Sequence, residues 1–314
     1  MASFDVVNYS LRPSKSIQRQ LVFEGIAKLK NHMDLERQVY VGFGSIWFTD
    51  FVLAHRLLGI DDMVSIESNE VGFRRAVFNS PYATVRVRHG FSTEVLPTLY
   101  ADEVIRLRPW LVWLDYDFQF DETLKTDIAS IIENAPANSI LLVTFNGHEM
   151  KYGAAADRPE RLRELFGAAV PDDLSKNACR EDRMQETLAD FARDFMQSTA
   201  NDLARPGGFV PAFRIVYRDN APMVTVGGIL PAKGAAAIAA MIVNDQSWRC
   251  RPEKRIVAPH LTIREASVLQ SRLPRPGPLD RDTVRALGFD LEDDQLEAFQ
   301  TYYRQYPSFA QIVA

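Results

Sequence analysis

The feature that most constrains the fold is an apolar run that breaks into a Gly-x-Gly turn, Val-Tyr-Val-Gly-Phe-Gly-Ser at residues 39–45. A helical pattern follows at residues 49–58, so the segment predicts a strand, a tight turn and a helix. Glycine suits this turn because a larger side chain would hold the backbone away from a ligand lying across the strand end. The next apolar run ends at Glu67, 23 residues beyond Gly44, where a carboxylate would accept hydrogen bonds from both hydroxyls of a ribose. Together the two runs indicate a site for an adenosine-containing ligand.

Strand and helix patterns alternate through residues 38–146, and the strands are nearly continuous runs of valine, isoleucine and leucine. This alternation predicts an α/β fold with a doubly wound, mostly parallel sheet covered on both faces. Apolar segments at 212–217 and 223–226, joined by a polar turn, predict an antiparallel hairpin that closes the sheet. The strands and helices predicted before this hairpin are residues 38–43, 49–58, 63–67, 69–78, 84–88, 111–115, 121–132 and 140–145.

At these residues the chain resembles the class I S-adenosylmethionine-dependent methyltransferases. It departs from NAD-binding proteins at Trp47, where their third glycine would stand, because a bulky residue opposes the close helix packing of a pyrophosphate site. The motifs Asn-Tyr-Ser-Leu-Arg-Pro-Ser-Lys at 8–15, Val-Gly-Phe-Gly-Ser at 41–45 and Trp-Leu-Asp-Tyr-Asp at 113–117 resemble a bacterial group named as putative O-methyltransferases. The fold-level resemblance covers residues 36–230 and implies a seven-stranded Rossmann-like sheet, S-adenosylmethionine as cofactor, and methyl transfer to an oxygen or nitrogen acceptor.

Three parts of the chain are predicted: an N-terminal helical extension at 1–37, the methyltransferase-like domain at 38–230 and a C-terminal helical appendage at 231–314. Within the domain, the polar stretch 147–179 is too long for an ordinary connection and predicts a lid or an insertion that recognises the substrate.

The helix predicted at residues 14–30 has an apolar stripe and a basic opposite face. One interpretation of the basic face is a solvated surface on a helix that covers the sheet. The other places Arg12 and Lys15 at the mouth of the site, where they hold an anionic substrate. A phosphate-bearing acceptor such as a nucleotide or RNA therefore stays open, although the net charge of −5 argues against bulk affinity for nucleic acid.

The resemblance implies cofactor contacts at the ends of the first four strands. Gly42 and Gly44 would approach the methionine part, Glu67 the ribose, and the turn after the third strand the adenine. The full predicted cofactor-binding set is Gly42, Phe43, Gly44, Glu67, His89, Gly90, Phe91 and Asp115.

The resemblance to methyltransferases implies a catalytic or substrate-facing group where the fourth strand ends, at residues 115–118. Two carboxylates one residue apart are costly to bury without a cation, a donor or a proton, so Asp115 and Asp117 are predicted catalytic residues. The alternative is that Asp117 or Asp121 caps the next helix. Tyr116, beside them, and Asn146, after the fifth strand, are predicted to contact the substrate.

Three mechanisms remain open from these residues. Enzymes that methylate amino groups of bases carry an Asp/Asn-Pro-Pro-aromatic turn here, and this chain has Asp115 and Tyr116 but neither proline. A general base is available in His148, a predicted catalytic residue, or in His89, because a neutral imidazole is well placed to accept a proton near pH 7.

The third mechanism is metal-assisted O-methylation, in which Mg²⁺ lowers the pKa of a hydroxyl. Asp115 and Asp117, with Asn146 or Glu149, offer the hard oxygen ligands that this ion prefers. No other feature of the sequence supports Mg²⁺.

The remaining composition predicts a cytoplasmic protein that does not associate with membranes. Cys179 and Cys250 lack metal-ligand spacing, and neither a charged-then-apolar leader nor a run of about 18 apolar residues is present. A second function class also stays open: a non-catalytic, cofactor-binding subunit or scaffold, with a protein partner or as a homo-oligomer.

Overall fold

The computed structural model describes residues 12–307, and a seven-stranded sheet in the order β3-β2-β1-β4-β5-β7-β6 runs through them. The strands are β1 (Val39–Gly42), β2 (Met63–Glu67), β3 (Val85–His89), β4 (Trp110–Gln119), β5 (Ser139–Asn146), β6 (Val210–Arg218) and β7 (Pro222–Leu230). The helices are α1 (Pro13–Lys30), α2 (Thr49–Leu58), α3 (Glu70–Phe78), α4 (Ser92–Tyr100), α5 (Glu122–Asn134), α6 (Arg158–Phe166), α7 (Glu181–Asp202), α8 (Ala236–Val243), α9 (Ile263–Gln270), α10 (Arg281–Arg285) and α11 (Asp293–Tyr302).

The sheet is parallel from β3 through β5, and β7 pairs antiparallel with both β5 and β6. The predicted doubly wound sheet with a closing hairpin is therefore confirmed. Gly42 is in register with Ser65 of β2 and with Trp113 of β4, so the carboxyl ends of these three strands meet at one edge. That edge is where an open parallel sheet binds its ligands.

Two apolar layers enclose the sheet, and strand β4 contributes to both because successive side chains of a strand point to opposite faces. Leu111 and Trp113 pack into the layer that contains α1, α2, α8 and α11. Val112 and Leu114 pack into the layer that contains α4, α5, α6 and α7. The first and last described helices thus share one layer of the core with the central strands.

Helix α1 is buried around most of its circumference, since Lys15 and Arg19 are only 4% and 5% exposed. Its first turn is fixed by the turn between β6 and β7: the carboxylate of Asp219 accepts hydrogen bonds from the backbone N–H groups of Ser14 and Lys15, at 2.9 and 3.0 Å. A carboxylate at a helix N-terminus satisfies otherwise unpaired donors and complements the helix dipole. This end of the helix therefore has no solvated basic face.

Within the predicted domain at 38–230, two helices lie where none was predicted. Helix α4 contains Pro97 in its interior, which interrupts the sequence signal for a helix. Helix α6 occupies the middle of the stretch 147–179, which also holds short 3₁₀ helices at Glu149–Tyr152 and Gly167–Ala169. Leu162 and Phe166 of α6 are buried in the core, so this part of the stretch is packed structure. In the part of the chain that the structure describes, no helix is both long and apolar enough to cross a bilayer.

Candidate functional site

A cleft of about 370 Å³ opens at the carboxyl ends of β1, β2 and β4 and beside the turn after β3. Its volume falls in the range of about 300–1,000 Å³ that is usual for small-molecule sites. Four carboxylates line it, those of Asp50, Glu67, Asp115 and Asp117, together with the guanidinium of Arg19. The cleft is therefore acidic, which favours a ligand with a positive charge.

The Gly-x-Gly turn forms the floor of the cleft, and both glycines are required by their surroundings. A Cβ atom on Gly42 would lie 2.8 Å from the carbonyl oxygen of Trp113, and one on Gly44 would lie 2.5 Å from the Phe48 ring and from Ser65 Oγ. The backbone N–H of Gly44 donates a hydrogen bond to Ser65 Oγ at 3.1 Å. Other residues of the same chain therefore pack directly against this turn and hold it in place.

Glu67 ends β2 at the rim of the cleft. Its Oε1 accepts a hydrogen bond from the backbone N–H of Asn69 at 2.9 Å, which fixes the direction of the carboxylate. Burial raises the pKa of Glu67 above its ordinary 4.5, against the lowering effect of the amides of Asn69 and Ser68.

The end of β4 reaches the cleft through a break in the pairing with β5. Asp115 pairs with Thr144 and Gln119 pairs with Asn146, so three residues of β4 lie opposite one residue of β5. Such a bulge bends a strand and redirects its side chains. Here it brings residues 116–118 to the wall of the cleft beside Asp115.

Two buried ion pairs connect α1 to the cleft. The Lys15 ammonium contacts Asp115 Oδ2, and Arg19 Nε lies 2.5 Å from Asp50 Oδ1. Burial lowers the pKa of Arg19, but Asp50 and Asp115 outweigh this effect and raise it overall. Within residues 12–307, Asp115 Oδ1 and the hydroxyl of Tyr217 are buried without a hydrogen-bond partner. Asp115 thus has one oxygen held by a cation and one buried without a hydrogen-bond partner among the described residues.

On the opposite side, a buried carboxylate is held by hydroxyl groups. Asp127 Oδ2 accepts hydrogen bonds from Ser92 Oγ and from the hydroxyl of Tyr116, and both donors line the cleft. The Tyr116 ring packs between Phe43 and Phe118, with 5.0 Å between ring centroids in each pair. Burial raises the pKa of Asp127, although the two hydroxyl donors lower it. The pKa of Tyr116 is raised by burial and by the neighbouring Asp127.

Most of the predicted site residues come together in this cleft. The predicted residues that line it are Phe43, Gly44, Glu67, Gly90, Phe91, Asp115, Tyr116 and Asp117. Gly42 lies beneath it in β1, Arg12 directly precedes α1, and Lys15 contacts Asp115. Their catalytic and binding roles stay predictions.

Besides Gly42, Arg12 and Lys15, three predicted residues are absent from the described lining of the cleft. His89 is exposed and packs beside Phe73 with the two rings tilted, and its Nε2 lies 3.2 Å from the carbonyl oxygen of Ser68. Asn146 Oδ1 accepts a hydrogen bond from the backbone N–H of His148 at 2.8 Å. His148 is exposed, and its Nδ1 accepts a hydrogen bond from the N–H of Met150 at 3.2 Å. Asn146 and His148 thus build the turn that follows β5.

The oxygen ligands suggested for Mg²⁺ do not meet in one place. Glu149 Oε2 lies 2.7 Å from Arg158 Nη1 and also accepts a hydrogen bond from the N–H of Glu181. Across residues 12–307, no three histidine, cysteine, aspartate or glutamate side chains form a group that could hold a metal ion.

Sequence reasoning missed Arg19 and Asp127 as members of the site. Arg19 lies one helical turn after Lys15 on the same face of α1, and this i, i+4 spacing was an available signal. Asp127 stands beside Leu124 and Ile128 on the buried side of α5. A carboxylate on an apolar helix face indicates a buried polar contact, but the partners on β4 and α4 are distant in sequence.

The sequence of the chain matches a known protein family over nearly its full length. A family model described as "Putative O-methyltransferase" matches residues 7–314. The chain belongs to this family. The predicted methyltransferase class is therefore confirmed, while the acceptor is not identified by this match. No curated protein matches the chain.

Solved structures also match, at low identity. One is Trm1 from Pyrococcus horikoshii in complex with S-adenosyl-L-methionine, at 13% identity over 71% of this chain, with a TM-score of 0.44. The chain spans only 57% of the length of that protein. Another is an arsenic(III) S-adenosylmethionine methyltransferase from Chlamydomonas reinhardtii, at 10% identity over 63% of this chain and 64% of that one, with a TM-score of 0.39.

Proposed function

We propose that this methyltransferase binds S-adenosylmethionine in the cleft between Gly44, Glu67 and Asp115 and transfers its methyl group to a hydroxyl acceptor. The observation that carries the proposal is the meeting of these three groups in one acidic cleft at the ends of β1, β2 and β4. An adenosine ligand with a positively charged sulfonium fits such a site. When bound, the cofactor supplies an electrophilic methyl group.

The residues of the cleft fit the three parts of this cofactor. The fixed carboxylate of Glu67 would accept hydrogen bonds from the ribose hydroxyls, and the turn at Gly90 and Phe91 would contact the adenine. The Gly44 turn lets the backbone approach the methionine part, near the guanidinium of Arg19. Methyl transfer needs little more than alignment of the acceptor with the reactive methyl, so positioning by these groups supplies much of the catalysis.

Asp115 is the residue best placed to act on the acceptor. Its Oδ1 has no hydrogen-bond partner within the described residues, and Oδ2 is held by Lys15. The carboxylate of Asp115, which lines the cleft, would accept a hydrogen bond from the acceptor hydroxyl and then take its proton as the new bond to carbon forms. His148 is a weaker candidate because its Nδ1 already accepts a backbone hydrogen bond outside the cleft.

The acceptor proposed for this site is uncharged and planar. One interpretation of the sequence has Arg12 and Lys15 hold an anionic substrate, but Lys15 is buried and paired with Asp115, and Arg19 is buried and paired with Asp50. Aromatic side chains with exposed surface stand at the cleft instead, among them Trp47 at 45% and Phe118 at 38% exposed. Such rings favour stacking with a flat acceptor, while the carboxylates of the cleft would repel a phosphate.

The test is calorimetric titration with S-adenosylmethionine of the wild-type protein and of Glu67→Ala. We expect saturable binding that weakens about tenfold or more in the variant, because two hydrogen bonds to a charged group are lost. Glu70→Ala is the matched control, since Glu70 is exposed and pairs with Arg74 on α3. Absence of saturable binding to the wild-type protein would overturn the proposal, as would equal loss in both variants.

The acceptor class is tested separately, with cofactor labelled in its methyl group and two acceptor pools. One pool holds small phenols and the other holds bulk RNA. The proposal predicts label in the phenol pool that disappears in Asp115→Ala. Label in RNA alone would contradict an uncharged, planar acceptor.

A further inference from the structure

The Lys15–Asp115 ion pair lies where the reacting sulfur is expected, if the proposed function holds. Gly42 and Trp113 are in register on neighbouring strands; Gly44 and Asp115 each follow two residues further along, the first just after β1 and the second within β4. Both line the cleft. The charge on Asp115 is therefore next to the turn that would receive the methionine part of the cofactor.

Lys15 is held in place independently of any ligand. The Asp219 carboxylate binds the N–H groups of Ser14 and Lys15, and Ser14 Oγ donates to the carbonyl oxygen of Arg218 at 2.8 Å. The Lys15 side chain is 5% exposed and the Asp115 side chain 13%. Water screens such a pair weakly, so the positive charge of Lys15 cancels part of the field of Asp115 at the cleft.

The partial cancellation of the field of Asp115 matters for methyl transfer because the positive charge on sulfur disappears during the reaction. S-adenosylmethionine carries a positive sulfonium, whereas the product S-adenosylhomocysteine lacks the methyl group and has an uncharged sulfur. An uncompensated carboxylate beside the sulfur would stabilise the starting sulfonium more than the transition state, in which that charge is already declining. Binding energy used in this way does not accelerate the reaction.

We propose that Lys15 is a positioning residue that acts through Asp115 and sets the relative affinity of the cleft for S-adenosylmethionine and S-adenosylhomocysteine. It holds Oδ2 of Asp115 in place, and its charge keeps the sulfonium from binding too tightly. Helix α1 then both covers the sheet and controls charge at the point of transfer. This role rests on the cofactor site proposed above.

The experiment measures the dissociation constants of both ligands by calorimetry and takes their ratio. Lys15→Met removes the charge but keeps most of the apolar stem, and Asp115→Asn removes the opposing charge. The double variant removes both, and it guards against Lys15→Met failing to fold with Asp115 left unpaired. Lys28→Met is the matched control, because Lys28 lies about 20 Å further along the same helix and contacts the carbonyl oxygen of Ser247.

The ratio separates a charge effect from a structural one, since general damage to the site weakens both ligands alike. We expect Lys15→Met to shift the preference towards S-adenosylmethionine by roughly tenfold, as a unit charge does at a distance of several Å in a partly buried site. Asp115→Asn should shift it towards S-adenosylhomocysteine, and the double variant should return near the wild-type ratio, as should Lys28→Met.

An unchanged ratio in Lys15→Met and Asp115→Asn, with both ligands still bound, would overturn this inference and leave the proposed cofactor site intact. If the wild-type protein binds neither ligand, the proposed function fails and the inference fails with it.

Discussion

The two sides of the cleft bury their carboxylates in different ways. On the α1 side, Asp115 and Asp50 are each paired with a buried cation. On the α5 side, Asp127 is 1% exposed and accepts hydrogen bonds from the hydroxyls of Ser92 and Tyr116. A buried negative charge must be compensated by a cation, by donors or by a proton. On the α1 side, cations compensate the carboxylates. On the α5 side, neutral hydroxyl donors bind Asp127, and the pKa of Asp127 is raised.

We expect the α1 side to act on a ligand through charge and the α5 side to act on it through the shape of the cleft. The ion pairs connect α1 to the edge of the sheet and place fixed charges beside the expected sulfur position. On the other side, the hydrogen-bonded residues Asp127, Ser92 and Tyr116, here called the Asp127 cluster, include no cation. This cluster orients the Tyr116 ring between Phe43 and Phe118. We therefore expect the two sides to respond differently to mutation and to pH.

The largest effect on stability is expected from Arg19→Met. The change leaves the 7%-exposed Asp50 without its cation, and breaking a buried ion pair in this way costs about 3 kcal/mol. Urea unfolding measures the loss, and Lys28→Met on the same helix should change the unfolding free energy far less. The double variant Arg19→Met/Asp50→Asn should recover part of the loss. A double variant less stable than Arg19→Met would show that the pair is not what stabilises this side.

A smaller effect is expected from Tyr116→Phe. The variant removes one of the two hydroxyl donors to Asp127 and leaves the carboxylate less compensated, which costs about 1–2 kcal/mol. Tyr100→Phe is the matched control: its hydroxyl is 3.0 Å from the neutral Ser130 Oγ, so its loss should cost less. Equal losses in urea unfolding would argue against a special role for the Asp127 cluster.

The Asp127 side should also show a dependence on pH that can be assigned to one group. Burial raises the pKa of Asp127 above its ordinary 3.8, so the folded protein holds this proton more tightly than the unfolded chain does. Its stabilising contribution is complete below pH 3.8 and is lost as the pH rises through the raised pKa. The variant Asp127→Asn carries an amide at this position and has no such proton to release.

The unfolding free energy of Asp127→Asn, minus that of the wild type, should therefore increase as the pH rises through this window and become constant above it. Urea unfolding at a series of pH values measures the difference. A difference that does not vary with pH would contradict the raised pKa.

The sheet could be predicted from the sequence because its signals are local. Helix α2 and strand β2 have the predicted bounds, since apolar periodicity and the Gly-x-Gly turn mark them directly. Helix α4 could not be predicted in this way because Pro97 interrupts its pattern. Its stability comes from packing of Leu96 and Leu99 in the core, which only the folded chain shows.

The residues that line the cleft could be predicted where they follow strand ends. They could not be predicted where their position depends on a contact with a residue far away in the sequence. Gly44, Glu67 and Asp115 could be found because the carboxyl ends of parallel strands meet at one edge. The contact of Lys15 with Asp115 joins residues 100 positions apart, and a basic helix face alone does not show whether it is solvated or buried. His148 follows β5, as the sequence indicates, but its Nδ1 accepts a hydrogen bond from the following turn, and its catalytic role stays a prediction.

A crystal structure of the protein with S-adenosylhomocysteine tests the proposed cofactor site most directly. We expect density for the ligand in the cleft, with the ribose at Glu67, the adenine near Phe91 and the sulfur between Gly44 and Asp115. Lys15 should still contact Asp115 in that complex. Density for the ligand outside this cleft, or a ribose away from Glu67, would contradict the proposed site.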